Sequence, residues 1–182
     1  MKLNNSRYDL DSDVRPVGSD SPSLYFLLDY PTSGQVGAGS PLDIETKYLI
    51  TNIVKTSDLH KIRSSKTYRI NTCIPYKTTV KNRQEKRVVP RTTNQDDYDK
   101  FKDQLFSDIE SSNPEILICC GKFAAKALGF DNSNLIGSTV KSEKLNTTIY
   151  FMDGISDIMF SSTEGRRRQA QIKLTGQLIR LG

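Results

Sequence analysis

Leu24-Tyr25-Phe26-Leu27-Leu28-Asp29-Tyr30-Pro31-Thr32-Ser33-Gly34-Gln35-Val36-Gly37-Ala38-Gly39 joins an unbroken apolar run to a loop rich in proline and glycine. An apolar run of that length suits a strand covered on both faces, as in a parallel sheet. Asp29 then stands at the carboxyl end of the strand, where open α/β sheets place their ligand sites. Pro31 and the glycines that follow let the backbone turn sharply and approach a ligand closely. The plainer alternative is an ordinary strand-to-helix connection in which Asp29 is solvated or caps a helix.

The chain has 182 residues, enough for one domain with a sizeable core. Its 26% charged and 36% hydrophobic residues suit a soluble globular protein. No apolar run approaches the roughly 20 residues that span a bilayer. Residues 1–23 form a polar, acidic N-terminal segment with no hydrophobic region, so a signal peptide is not expected and a cytoplasmic location is. Residues 24–182 read as a single α/β domain. Cys73, Cys119 and Cys120 have no ligand spacing and read as reduced, packed thiols. No metal or other cofactor is expected. The formal net charge is +5, and its placement says more than its size. Lys77, Lys81, Arg83, Lys86, Arg87 and Arg91 crowd one stretch, and Arg166, Arg167 and Arg168 another. Either could be a merely solvated face. Two such stretches in one small domain favour a phosphate-backbone footprint and a DNA partner.

Strands and helices alternate along the chain. After Leu24–Leu28, Ser40-Pro41 predicts a helix with proline at its first position, running to about Arg63. Tyr68–Ile74 reads as a second strand, Pro75 to Asn94 as a long basic loop, and Gln95–Ser111 as a helix with a buried stripe of Tyr98, Phe101, Leu105, Phe106 and Ile109. Glu115–Cys120 is a third strand, turned by Gly121 into a helix over Lys122–Leu128. Thr147–Met152 is a fourth, with an edge hairpin around Gly137–Leu145 before it and a last helix over about Glu164–Leu181. This order implies βαβ units and a mostly parallel sheet. Right-handed crossovers bring the strands' carboxyl ends to one edge, gathering Asp29, Asn71 to Pro75, Gly121 and Asp153 to Ser161 into one crevice. His60, the single histidine, reads as a surface or packing residue on the first long helix.

Taken in order, these segments resemble the uracil-DNA glycosylase superfamily, most closely its short iron–sulfur-containing branch. Leu28-Asp29-Tyr30-Pro31-Thr32 stands where the family has a G-E-A-P-G-like or G-Q-D-P-Y-like loop, and Gln35-Val36-Gly37-Ala38-Gly39 where it has F-V-G-x-A-G. Tyr68-Arg69-Ile70-Asn71-Thr72-Cys73-Ile74-Pro75 resembles the second strand of the family. Pro114-Glu115-Ile116-Leu117-Ile118-Cys119-Cys120-Gly121-Lys122-Phe123-Ala124 resembles its third, and is the most specific match. The resemblance implies a three-layer α/β/α sandwich around a four-stranded, mostly parallel sheet. It also implies that Asp29 assists water attack on the sugar and that Asn71 reads the edge of the base. Tyr30, Pro31, Gln35 and Ser156 would line the same base pocket.

The departures are specific. Gln35 replaces the aromatic that stacks on the extruded base. Met152-Asp153-Gly154-Ile155-Ser156 lacks the histidine that stabilises the departing base anion. The cluster cysteines are absent, so no iron–sulfur centre is expected. Losing a preorganised anion stabiliser typically costs about 10²–10³ in rate. Three readings follow. One is a DNA-binding protein of glycosylase-like fold, degenerate in catalysis, serving as an accessory factor in DNA replication or repair, of the kind phages and large viruses use. In this reading a replication or repair protein is a further partner. Another is an active glycosylase excising uracil or a modified pyrimidine. The third is a protein-interaction module with a vestigial site.

Overall fold

The computed structural model describes residues 14–56, 67–75, 79–82, 87–90, 95–130 and 133–159, together with 165, 169, 172, 173, 175 and 176. The apolar runs become the centre of a six-stranded sheet. β1 is Val17–Gly18, β2 Leu24–Leu28 and β3 Tyr68–Thr72; β4 Thr79–Asn82 and β5 Arg87–Pro90 form a separate hairpin; β6 is Ile116–Cys120, β7 Thr139–Ser142 and β8 Thr147–Met152. The helices are α1 Ser33–Ala38, α2 Ile44–Thr56, α3 Gln95–Ser112, α4 Lys122–Ala127 and α5 Ile155–Met159.

The large sheet runs β1-β3-β2-β6-β8-β7, with β3, β2, β6 and β8 parallel and both edge strands antiparallel. The fold is therefore α/β, but the expected count of four strands is short by two. The hairpin expected around Gly137–Leu145 supplies β7. The other edge strand, β1, lies within the stretch read as a polar N-terminal segment. A two-residue strand has no periodicity to betray it, yet Val14 just before it is buried.

Every residue of β2 and of β6 is buried, as expected of strands covered on both faces. Alternation divides them between two cores. Tyr25, Leu27, Leu117, Cys119, Ile149 and Phe151 pack with Phe101, Leu105 and Ile109 of α3 and the small Ala124, Ala125 and Ala127 of α4. Leu24, Phe26, Leu28, Ile118, Cys120 and Met152 pack with Leu49, Ile50 and Ile53 of α2 and Ile158 of α5. Helices thus cover both faces. All three cysteines are buried free thiols, and burial pushes each thiol's pKa up.

Three expectations are corrected by local chemistry. The Gly-rich segment holds a short helix, α1, because Thr32 caps it: its Oγ1 accepts from the Gln35 N–H, and the Gln35 side chain accepts from the Thr32 N–H. The next helix begins at Ile44, not at Pro41, because Asp43 Oδ1 accepts from the Thr46 N–H at 2.9 Å. Its described part ends at Thr56, and residues 57–66, including His60, lie outside the described residues. The long loop from Pro75 to Asn94 contains the β4–β5 hairpin, in which Lys81 pairs with Val88 and Asn82 with Arg87. Of the last predicted helix, residues 165, 169, 172, 173, 175 and 176 are helical. Among the described residues, no helix is long and apolar enough to cross a membrane.

Ile118 is fully buried at the sheet centre, whereas Ile44 is 89% exposed on α2. Ile118→Ala is expected to lower the unfolding free energy by about 2–5 kcal/mol in chemical denaturation. Ile44→Ala is expected to change it by less than about 0.5 kcal/mol.

Candidate functional site at the strand ends

The parallel strands share one register. Leu28 lies level with Thr72 on one side and with Cys120 on the other, and Cys120 lies level with Met152. The next residue of each chain segment, Cys73, Asp29, Gly121 and Asp153, therefore emerges along a single line at the carboxyl edge. The connection after β2 goes to β3 on one side, and the later strands β6 and β8 lie on the other. The direction of winding reverses between β2 and β6, and open α/β sheets bind ligands at that switch point. Asp29 and Gly121 are the residues that leave the two strands there.

The Asp29 carboxylate lies against the start of α4. Its Oδ1 accepts from the Ala124 N–H at 2.8 Å. Gly121, the N-cap residue, has no side chain to offer, so Asp29 caps α4 from another strand. Gly121 has φ +107, and a Cβ there would sit 2.3 Å from Asp29 Oδ2. Gly154 completes the enclosure: a Cβ on it would lie 3.0 Å from Asp29 Oδ2 and 3.1 Å from Asp157 Oδ2. Those two oxygens are consequently within about 6 Å of each other, a range at which like charges oppose ionisation. The Asp29 carboxyl is pushed up to about 7, first by burial and then by the Asp157 charge. The N–H groups of Ala124 and Phe123 and the Lys122 ammonium act in the opposite sense.

Around this carboxyl stand Tyr30 and Phe123, their rings 5.1 Å apart and edge to face at 65°. The Tyr30 phenol is raised by burial and by the charges of Asp29 and Asp157. Pro31 is buried beside them, and Ser156 lies on α5 with its side chain outside the described residues. Asp29, Tyr30 and Pro31 are consecutive at the end of β2, and Gly154, just before α5, lies against Asp29. Lys122, Phe123 and Asp157 belong to the same place; the sequence set Asp157 within the Asp153–Ser161 stretch of the crevice without singling it out, and did not set the other two there. Lys122 and Phe123 were legible only as part of the strand-to-helix match after Gly121. Asp157 follows one residue after the segment compared with the histidine motif.

The two amides expected in the base pocket are engaged elsewhere. Gln35 is buried, and its Nε2 donates to the Pro41 carbonyl at 2.9 Å and to Thr46 Oγ1 at 3.0 Å, tying α1 to the start of α2. Asn71 Nδ2 donates to Tyr25 Oη at 2.9 Å and to Asp108 Oδ2 at 3.3 Å, while its Oδ1 accepts from the Thr72 N–H at 2.8 Å. Asp108 is the hub of that group. It accepts from the Tyr25 hydroxyl at 2.5 Å and is held bidentately by Arg69 at 3.0 and 2.6 Å. Burial and the Asp108 charge push the Tyr25 phenol well up, and the bond to Asp108 raises the Arg69 guanidinium. Asn71 lines a cavity of about 610 Å³ between Val14–Pro16, the end of β3 and α3, and neither Asp29 nor Tyr30 is part of its wall. The single crevice expected from the sequence is therefore two places.

Of the basic stretches, Lys81 and Arg87 fall on β4 and β5, with their side chains outside the described residues. Lys77, Arg83, Lys86, Arg91, Arg166, Arg167 and Arg168 lie outside the described residues altogether. Among the described residues, no group of acidic, histidine or cysteine side chains forms a metal-binding cluster.

The Asp29 carboxyl is held above its ordinary value of 3.8 in the folded state. The native protein therefore keeps a proton that the unfolded chain releases, and this contribution to stability is complete below about pH 4 and lost as the pH rises to about 7. Asp29→Asn retains an acceptor for the Ala124 N–H but cannot ionise. It is expected to be more stable than the parent at pH 8, by on the order of a few kcal/mol, with the difference vanishing near pH 4. Urea unfolding at the two pH values reads this directly. Gly121→Ala is expected to lose at least about 1–3 kcal/mol from backbone strain alone, with the clash against Asp29 in addition. No family model matches the chain, and no curated protein matches it.

Proposed function

We propose that this protein binds DNA with a glycosylase-like α/β domain whose base-excising chemistry is reduced, and that it serves as an accessory factor in DNA replication or repair. One observation carries the loss of chemistry. The amides of Gln35 and Asn71, which the resemblance would set around an extruded base, spend their N–H groups on Pro41, Thr46, Tyr25 and Asp108. A pocket that must hold an extruded base needs such donors free to read it. The DNA-binding half of the reading is supported by charge: a net +5, with basic residues concentrated at Lys77–Arg91 and Arg166–Arg168.

A second reading is favoured by Asp29 itself. A carboxyl pushed up to about 7 at the switch point has the proton affinity that suits a general base near neutral pH. In that reading the protein is a working glycosylase, with Asp29 activating water against the sugar.

Base release from duplexes carrying uracil or 5-hydroxymethyluracil separates the two. The accessory reading expects no release above background. Release that rises through about pH 7 and disappears in Asp29→Asn would replace it with the enzymatic one. The logarithm of DNA affinity is expected to fall linearly with the logarithm of salt concentration. Replacing Arg166, Arg167 and Arg168 with alanine should reduce that slope by up to roughly 2.7, since each phosphate contact contributes about 0.9. Failure to bind DNA at any salt concentration would leave a protein-interaction module instead.

A further inference from the structure

Lys122 and Phe123, at the start of α4, stand beside Tyr30 at the switch point. Tyr30 comes from the end of β2 and Phe123 from the first turn of α4, so the pair bridges the place where the winding reverses. Both rings pack against the core cluster shared by α3 and α4, and both remain half-buried rather than covered. Lys122 is exposed, with its Nζ 5.0 Å from the centre of the Phe123 ring. Aromatic faces next to a cation are the combination that holds unpaired bases without reading their sequence.

We propose that Tyr30, Phe123 and Lys122 form a stacking platform for an unpaired base of single-stranded DNA, with Lys122 meeting an adjacent phosphate. The inference rests on the DNA-binding reading above and goes beyond it by naming the strand type and the contact. Charge sets the orientation. Asp29 and Asp157, whose charges both act on the Tyr30 phenol, repel phosphate from the crevice side of the platform, whereas an uncharged base meets no such barrier. Among the described residues, Lys122 is the cation set over the Phe123 ring, so the backbone is held on its side.

The test compares a short fluorescent oligothymidylate with a strand of the same length built of abasic residues. Both carry the same phosphates, and only one carries bases. The parent protein is expected to bind the oligothymidylate roughly 5- to 150-fold more tightly for one stacked base. Phe123→Leu and Tyr30→Leu keep an apolar side chain on the core and remove the ring. Each is expected to bring that ratio towards one while leaving abasic affinity unchanged. Lys122→Gln should keep the ratio and lower the salt slope for both strands by roughly 0.7. Thermal unfolding of each variant is followed in parallel. Should Phe123→Leu unfold, Tyr30→Leu and Lys122→Gln carry the test. Equal affinity of the parent for the two strands, or a ratio unchanged in both leucine variants, overturns the platform while the DNA-binding reading stands. Absence of salt-dependent binding to either strand overturns both.

Discussion

The bond from the Ala124 N–H to the Asp29 carboxylate ties the end of the central strand to the helix that starts beside it. Much of the switch point is arranged around that contact. Gly121 has to be glycine because the carboxylate occupies the space of its Cβ, and Gly154 closes the other side almost as tightly. A helix of six residues with no side-chain cap of its own gains an acceptor for one of its unpaired N–H groups. The cost is a carboxyl withdrawn from water, which raises its affinity for a proton. Structure and reactivity at this place are therefore the same interaction seen twice, and any substitution that alters one alters the other.

A second polar group organises the β3 side of the same sheet. Asp108 on α3 is gripped by Arg69 and Tyr25, and Asn71 completes the set. Arg69 also reaches Asp20 at 3.1 Å, outside the core, where solvent leaves the pair little net strength. The inner group joins β2, β3 and α3 through partners that satisfy one another, as buried polar groups require. Asn71 is consumed in this way. Its position at a strand end suggests a ligand contact, but its hydrogen bonds serve the packing of α3.

Long elements were legible because their signals are local. Continuous apolar runs marked β2, β6 and β8, and the stripe from Tyr98 to Ile109 marked α3 to within a residue. Short elements were not. β1 is two residues long, and β4 and β5 sit in a stretch whose charge reads as loop. The start of α2 was misplaced at Pro41, and the cap that sets it, Asp43, emerges only from the geometry of its bond to the Thr46 N–H. In the candidate site, Asp29 and Tyr30 were found from their place after a strand. Lys122 and Phe123 were not, since nothing in their own neighbourhoods distinguishes them, and Asp157 was reached only as one of the Asp153–Ser161 stretch.

The amino-acid sequence by itself determined the α/β class, the parallel core strands and the edge on which their carboxyl ends gather. These follow from burial and alternation, which are properties of neighbouring residues. Only the tertiary structure decided which side chains meet. Asp29 could cap a helix or face solvent according to where α4 begins, and Asn71 could face a ligand or Asp108 according to how α3 lies on the sheet. Hydrogen bonds between residues dozens of positions apart settle those choices, and their partners are set by packing rather than by sequence proximity.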